Sequence, residues 1–154
     1  MTGTENLDPL AELPDPVLPD NRHGARQLAL QALYWEASSP GDGQRALREL
    51  GEEAGLSAPT LEFAAQLVDT VGQHGGELDQ FIDAAASHWR QDRIARIDGI
   101  ILRLALAEII HCGIPARVAM DEAIELAKTY SSAKAYVFVN GVLDAIARQR
   151  GLPL

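Results

Sequence analysis

The sequence predicts an all-α protein of about seven helices, and two observations support this class. Apolar residues recur at the spacing of one helical face, as in Ala25, Leu28, Ala29, Ala32 and Leu33. No segment alternates polar and apolar residues with a period of two, and no turn pair of the hairpin type joins two apolar runs. The elements are therefore expected to be helices joined by short loops.

Each predicted helix is bounded by capping or breaking residues. Asp20 or Asn21 can cap the first helix, Pro59 opens the third, and the glycines at 72, 75 and 76 separate the third from the fourth. The fifth helix is apolar nearly all round, which is typical of a central, buried helix. We expect helices over residues 22–38, 44–54, 59–71, 77–87, 92–111, 115–130 and 133–150.

Composition divides the chain into a tail and one folded domain. The 154 residues are 47% hydrophobic and 23% charged, with a net charge of −9, which is enough apolar material for a core. Residues 1–20 carry five acids, four prolines and no Lys or Arg, so we expect a disordered acidic tail there. The folded domain is expected over residues 21–154.

Several classes of protein are excluded by what the chain lacks. It has no run of about 18 apolar residues and no basic, apolar leader, so we expect no membrane contact and a soluble, cytoplasmic protein. The single cysteine, Cys112, rules out a disulfide framework and a metal site built from cysteines. We expect neither a metal nor a cofactor.

The sequence also gives no support for catalysis. It has no glycine-rich phosphate loop, no His-Glu-x-x-His pair and no Gly-x-Ser-x-Gly turn. The four histidines fall on four separate segments and are interpreted as surface or capping residues. Cys112 stands at the C-terminus of a helix, where the helix dipole disfavours a thiolate. No catalytic residue is predicted.

Charged residues on otherwise apolar helix faces need a partner. Asp98 and Glu108 both lie on apolar faces of the fifth helix, where a bare carboxylate would be costly to bury. Each could form an internal salt bridge or a capping bond, and Asp98 could instead mark a docking surface. Arg22 and Arg26 stand on the first turn of the first helix, where they oppose the helix dipole.

Four motifs, taken in order, resemble the bacterial NusB family of transcription antitermination factors. The resemblance spans roughly residues 22–150. The motifs are RHGARQLALQALYWE at 22–36, WRQDRIARIDGIILRLALAEI at 89–109, IPARVAMDEAIELAK at 114–128 and FVNGVLD at 138–144.

This resemblance implies two small helical bundles set against each other and a non-enzymatic function. It implies binding of boxA RNA together with the small-subunit ribosomal protein NusE, within an antitermination complex of RNA polymerase and other Nus factors. The residues that it assigns to RNA are Arg22, His23, Arg26, Lys134 and Tyr136. The residues that it assigns to the protein partner are Tyr34, Asp92 and Asp98.

The chain departs from the family pattern near its start. Gly24 stands where the family has a further basic residue, and the acidic tail adds five negative charges beside Arg22 and Arg26. We expect this tail to lower the RNA affinity by competing for those arginines. Two alternatives remain open at this point. One is a self-associating helical scaffold or homodimer without RNA activity, and the other is a NusB-like module of a ribosomal RNA methyltransferase.

Overall fold

The computed structural model describes residues 18–87 and 94–152, and all regular structure within these ranges is helical. The all-α prediction is therefore confirmed for the described part of the chain. Six helices are present there: α1 Arg22–Ser38, α2 Gly43–Glu53, α3 Ala58–Ala86, α4 Arg96–His111, α5 Ala116–Tyr130 and α6 Ala135–Arg150.

The residues that precede α1 cap the helix and attach its start to the core and to α3. Asn21 is the N-cap, and its side chain accepts a hydrogen bond from the backbone N–H of Gly24 at 2.9 Å. Leu18 packs against the core, and Asp20 accepts hydrogen bonds from Ser57 and Thr60 at the start of α3. The packed chain thus includes residues 18–20, which the sequence prediction placed in the tail. The remainder of the predicted tail, residues 1–17, lies outside the described residues.

One helix, α3, replaces the third and fourth helices of the sequence prediction. It runs through the glycines at 72, 75 and 76 and is kinked at His74, whose φ of −116° and ψ of 15° are not helical. Glycine disfavours a helix by about 1 kcal/mol relative to alanine. On both sides of the kink, however, Val71, Leu78 and Ile82 are buried in the same core. Tertiary packing therefore carries the helix past residues that would end it in isolation.

A single hydrophobic cluster runs through the whole domain, with α4 at its centre. Helix α1 packs against α2, α3 and α4, while α4 also packs against α5 and α6. The most deeply buried side chains of α4 include Ile101, Leu102 and Leu104, as its apolar periodicity predicted. The described part of this helix begins at Arg96, and residues 88–93 lie outside the described chain.

The later helices end where the sequence indicated. Gly113 follows α4 with a φ of 70°, and Gly151 caps α6 in the left-handed conformation with a φ of 68°. Among the described residues, no helix combines the length and hydrophobicity that crossing a bilayer would require.

Candidate functional site

The first turn of α1 forms a basic surface, which we call the first-turn cluster: Arg22, His23 and Arg26 with their neighbours Phe63, Glu108 and Glu122. Arg22 is exposed, and its guanidinium carbon lies 4.3 Å above the centre of the Phe63 ring. This cation–π contact orients the side chain without neutralising it. No described carboxylate forms an ion pair with Arg22. Its guanidinium can therefore engage a phosphate from solvent.

Arg26 lies in the interior, in contrast to Arg22. It is only 4% exposed and donates from Nε and Nη2 to both carboxylate oxygens of Glu108 at 2.7–3.0 Å. Glu122 lies 3.4 Å from Nη1 of the same guanidinium. Burial opposes the charged form of Arg26, but the hydrogen bonds and charges of Glu108 and Glu122 together outweigh it and raise the pKa of Arg26. The arginine is thus committed to fastening α1 onto α4.

Glu108 is the carboxylate that the sequence placed on an apolar face. Burial raises the pKa of Glu108, and the hydrogen bonds and positive charge of Arg26 oppose that shift. The sequence left two partnerships open for Glu108, an internal salt bridge or a capping bond, and the structure contains the salt bridge.

His23 reaches from α1 to α5. Its Nδ1 lies 2.8 Å from Oε1 of Glu122, the same oxygen that faces Arg26. The His23 side chain is 34% exposed and the Glu122 side chain 25%. Glu122 therefore sits between a buried arginine and a half-exposed histidine, and it fixes the position of the imidazole at the edge of the first-turn cluster.

A second basic surface, which we call the α5–α6 surface, is formed by Lys128, Lys134 and Tyr136. Lys134 is exposed at the start of α6, and Tyr136 is 36% exposed. The ammonium of Lys128 lies 5.1 Å from the centre of that ring. Cationic and aromatic groups in this arrangement can hold a phosphate and stack on an unpaired base. Helix α5 links the two surfaces, since it carries Glu122 of the first-turn cluster and Lys128 of the α5–α6 surface. These two residues are about 9 Å apart along the helix axis.

Asp98 is buried at the first turn of α4. It is 8% exposed and accepts a hydrogen bond from Oγ of Ser131, at the end of α5, at 2.6 Å. Burial raises the pKa of Asp98, and the Ser131 hydrogen bond partly offsets the shift. This contact is a hydrogen bond between two side chains, and it is neither the salt bridge nor the capping bond considered for Asp98. It leaves a small part of the residue at the surface.

Tyr34 is half-buried on α1, with the guanidinium carbon of Arg96 5.5 Å from the centre of its ring. Arg96 also donates to Oγ of Ser38 at 3.2 Å, so the start of α4 is tied to the end of α1. The neighbouring Trp35 is 52% exposed. Asp92, the third residue assigned to a protein partner, lies outside the described residues.

A family model described as the NusB family matches residues 23–148. The chain belongs to the NusB family. The transcription antitermination protein NusB of Anaeromyxobacter dehalogenans strain 2CP-1 is 39% identical over 133 residues, which cover 86% of this chain and 92% of that protein.

Solved structures of NusB proteins share the fold. T. maritima NusB superposes with a TM-score of 0.76 at 30% identity, covering 84% of this chain and 92% of that one. A chain from the crystal structure of the antitermination factors NusB and NusE in complex with double-stranded RNA superposes with a TM-score of 0.74 at 32% identity. This superposition covers 83% of the present chain and 96% of the chain in the complex.

Sequence reasoning missed the groups that organise the first-turn cluster. Phe63 supports Arg22, and Glu122 joins His23 to Arg26, yet neither was singled out from the NusB-type motifs. Ser131 and Lys128 were missed in the same way. Glu122 forms no local sequence pattern with His23 or Arg26, since it lies on α5 and they lie on α1. Such pairings follow from the packing of helices rather than from spacing along the chain.

Proposed function

We propose that this chain binds boxA-type RNA jointly with a NusE-type ribosomal protein and so acts in antitermination of ribosomal RNA transcription. The observation that carries the proposal is its likeness, over 83% of its length, to a chain solved with NusB, NusE and RNA. A cytoplasmic location and a complex with RNA polymerase and other Nus factors accompany this role. The activity is one of binding and requires no catalytic residue.

Arg22 is the central RNA contact in this proposal. It combines exposure, a supporting aromatic ring and the absence of an ion pair with any described carboxylate. His23 lies beside it, while Lys134 and Tyr136 on the α5–α6 surface supply a second contact region. Arg26 contributes indirectly, because its bond to Glu108 holds the first turn of α1 in place. The RNA would thus meet one exposed arginine supported by a buried one.

The protein partner would dock on the side of the molecule that carries Tyr34 and Asp98, with Asp92 as a further contact. The exposed Trp35 beside Tyr34 adds apolar area of the kind that dominates binding energy in protein interfaces. Because Asp98 is bonded to Ser131, its role is to present one carboxylate oxygen from a fixed position.

The RNA contact is tested by fluorescence anisotropy with a boxA-like strand, with and without purified NusE. Arg22→Ala should weaken binding at least threefold and lower the slope of log affinity against log salt by about one. Arg48→Ala, which removes an exposed arginine from α2, is the matched control. Equal affinities of the two variants would refute the assignment of Arg22.

The partner surface is tested by calorimetric titration of NusE into the Trp35→Ala and Asp98→Asn variants. Both should bind NusE more weakly than the unaltered chain, whereas Glu52→Gln, on the exposed face of α2, should bind normally. Light scattering on the same samples measures self-association. Normal NusE binding by both variants, or a dimer that excludes NusE, would contradict the proposed surface.

A further inference from the structure

Two histidines that are 37 positions apart meet at the kink of α3. The imidazoles of His74 and His111 are stacked, with ring centres 3.6 Å apart and planes inclined by 14°. Both face the carboxylate of Glu77, which follows His74 by one helical turn. The donor atoms of the three side chains all lie within 4.8 Å of one another. Two nitrogens and one oxygen are therefore close neighbours on the surface. Because the lone pair of an imidazole nitrogen lies in the ring plane, both histidines can bind one ion only after a ring turns out of the stack.

The hydrogen bonds within this trio are incomplete. Nε2 of His111 lies 2.7 Å from Oε1 of Glu77, whereas Nδ1 of His74 lies 4.0 Å from the same oxygen. The longer separation is beyond hydrogen-bonding range. Among the described residues, His74 has no hydrogen-bond partner, although its ring is held in place by the stack. A nitrogen donor is thus presented beside a carboxylate that does not bond to it.

We propose that His74, Glu77 and His111 bind a divalent transition-metal ion, with Zn²⁺ as the favoured ion. Two imidazoles and one carboxylate are a common ligand set for zinc, with water in the fourth position. Zinc bonds of about 2.1 Å in a tetrahedron place the ligand atoms about 3.4 Å apart. The present separations of 2.7 and 4.0 Å lie on either side of that value.

The side chains have the freedom to close on an ion. The exposed fractions of the side chains are 37% for His74, 47% for Glu77 and 22% for His111, so the two side chains on α3 have room to turn out of the stack and toward an ion. The partial exposure also gives water access to the fourth position. Cys112 follows His111 but does not join the trio, since its Sγ faces Gln66 at 4.0 Å.

Metal binding would join α3 to α4 at the kink. His74 lies at the kink of α3, Glu77 follows it by three positions, and His111 is the last residue of α4. Three metal–ligand bonds would replace the ring stack and the hydrogen bond between His111 and Glu77, and they would hold the kink at one angle. Because α4 also carries Glu108, one turn before His111, the same clamp would steady the helix that anchors Arg26.

The test is calorimetric titration of ZnCl₂ into the full chain, prepared without an affinity tag and dialysed against a chelator. We expect one site per chain and a melting temperature that rises by about 5–10 °C when free zinc reaches a hundred times the dissociation constant. Co²⁺ in place of Zn²⁺ should give the visible absorption bands of a tetrahedral complex.

Variants distinguish this site from other surface ligands. His74→Ala and His111→Ala should each weaken zinc binding at least tenfold. His23→Ala, which removes a histidine that also contacts a glutamate, should bind zinc normally, and so should Cys112→Ser. The metal-free melting temperature of each variant reports its folding separately. Absence of a zinc-dependent shift in the unaltered chain, or loss of the shift in His23→Ala alone, would overturn the proposal.

Discussion

The guanidinium of Arg26 and the carboxylate of Glu108 form a two-point ion pair that joins α1 to α4 across 82 positions of sequence. The residues are 4% and 2% exposed, so both charges are withdrawn from water. Removing one member of such a pair leaves the other charge buried without compensation, which costs about 3–5 kcal/mol. The two members are not equivalent, however, because Arg26 also faces Glu122 at 3.4 Å.

This asymmetry predicts different effects of the two single substitutions. Arg26→Met should lower the free energy of unfolding by roughly 3–5 kcal/mol, because the buried Glu108 loses its ion-pair partner. Glu108→Leu should cost less, because Glu122 still compensates Arg26. The double variant should recover much of the loss, since both charges are then absent. Urea unfolding measures all three, and single variants within about 1 kcal/mol of the unaltered chain would contradict the prediction.

The sequence anticipated part of this relationship. The helical spacing of α4 showed that Glu108 lies on an apolar face and needs a partner, and the structure confirms a salt bridge. The identity of that partner depends on how α1 crosses α4, which no local pattern encodes. The family resemblance assigned Arg26 to RNA together with Arg22, whereas the structure buries Arg26 and leaves Arg22, one helical turn earlier, exposed.

The dependence on tertiary packing also explains why the structure has one helix, α3, where the sequence predicted two. Local propensity correctly identified glycines 72, 75 and 76 as unfavourable in a helix, and the kink at His74 lies among them. Whether a weak segment breaks or only bends depends on the core around it. That core includes Leu78 and Ile82, whose burial is a property of the assembled fold.

Asp98→Asn is predicted to stabilise the protein at neutral pH. The amide oxygen of asparagine can still accept the hydrogen bond from Ser131, and the cost of burying a charge disappears. Since burial raises the pKa of Asp98, the folded state takes up a proton before the unfolded state as the pH falls. The advantage of the variant should thus be greatest above the raised pKa and shrink below it.

Thermal unfolding of both proteins at pH 7.5 and pH 4 measures this difference. Other carboxylates titrate alike in the two chains, so the difference between melting temperatures isolates Asp98. A lower melting temperature of Asp98→Asn at pH 7.5 would show that the ionised carboxylate stabilises the fold.

Gly24 and Gly72 are predicted to respond in opposite directions to alanine. A Cβ at Gly24 would lie 1.7 Å from the carbonyl oxygen of Pro19, so Gly24→Ala must displace the backbone that leads into α1. We expect a loss of about 1–3 kcal/mol despite the better helix propensity of alanine. At Gly72 in α3, a Cβ would meet no atom within 4 Å, and Gly72→Ala should gain up to about 1 kcal/mol.

Chemical denaturation of the two variants checks this contrast. The close approach of Pro19 gives a physical reason for glycine here, because residues 18–20 cross the first turn of α1. Equal stability of the two variants would mean that this crossing contributes nothing to the fold.

The acidic segment before residue 18 is predicted to weaken RNA binding at low salt. Residues 1–17 carry four acids and no Lys or Arg, and the chain is fixed close to Arg22 by the bonds of Asp20 to Ser57 and Thr60. Negative charges tethered next to an exposed arginine compete with phosphates for it. Arg26 is not part of this competition, since Glu108 already holds it in the interior.

A chain that begins at residue 18 should therefore bind a boxA-like strand more tightly than the full chain at low ionic strength. Because the Debye length shortens from about 30 Å at 0.01 M salt to about 3 Å at 1 M, the gain should vanish as salt is added. A full-length chain with Glu5, Asp8, Glu12 and Asp15 replaced by their amides separates charge from length. If its affinity matches that of the truncated chain, charge is the cause, whereas an unaltered affinity in both would show that the acids do not reach Arg22.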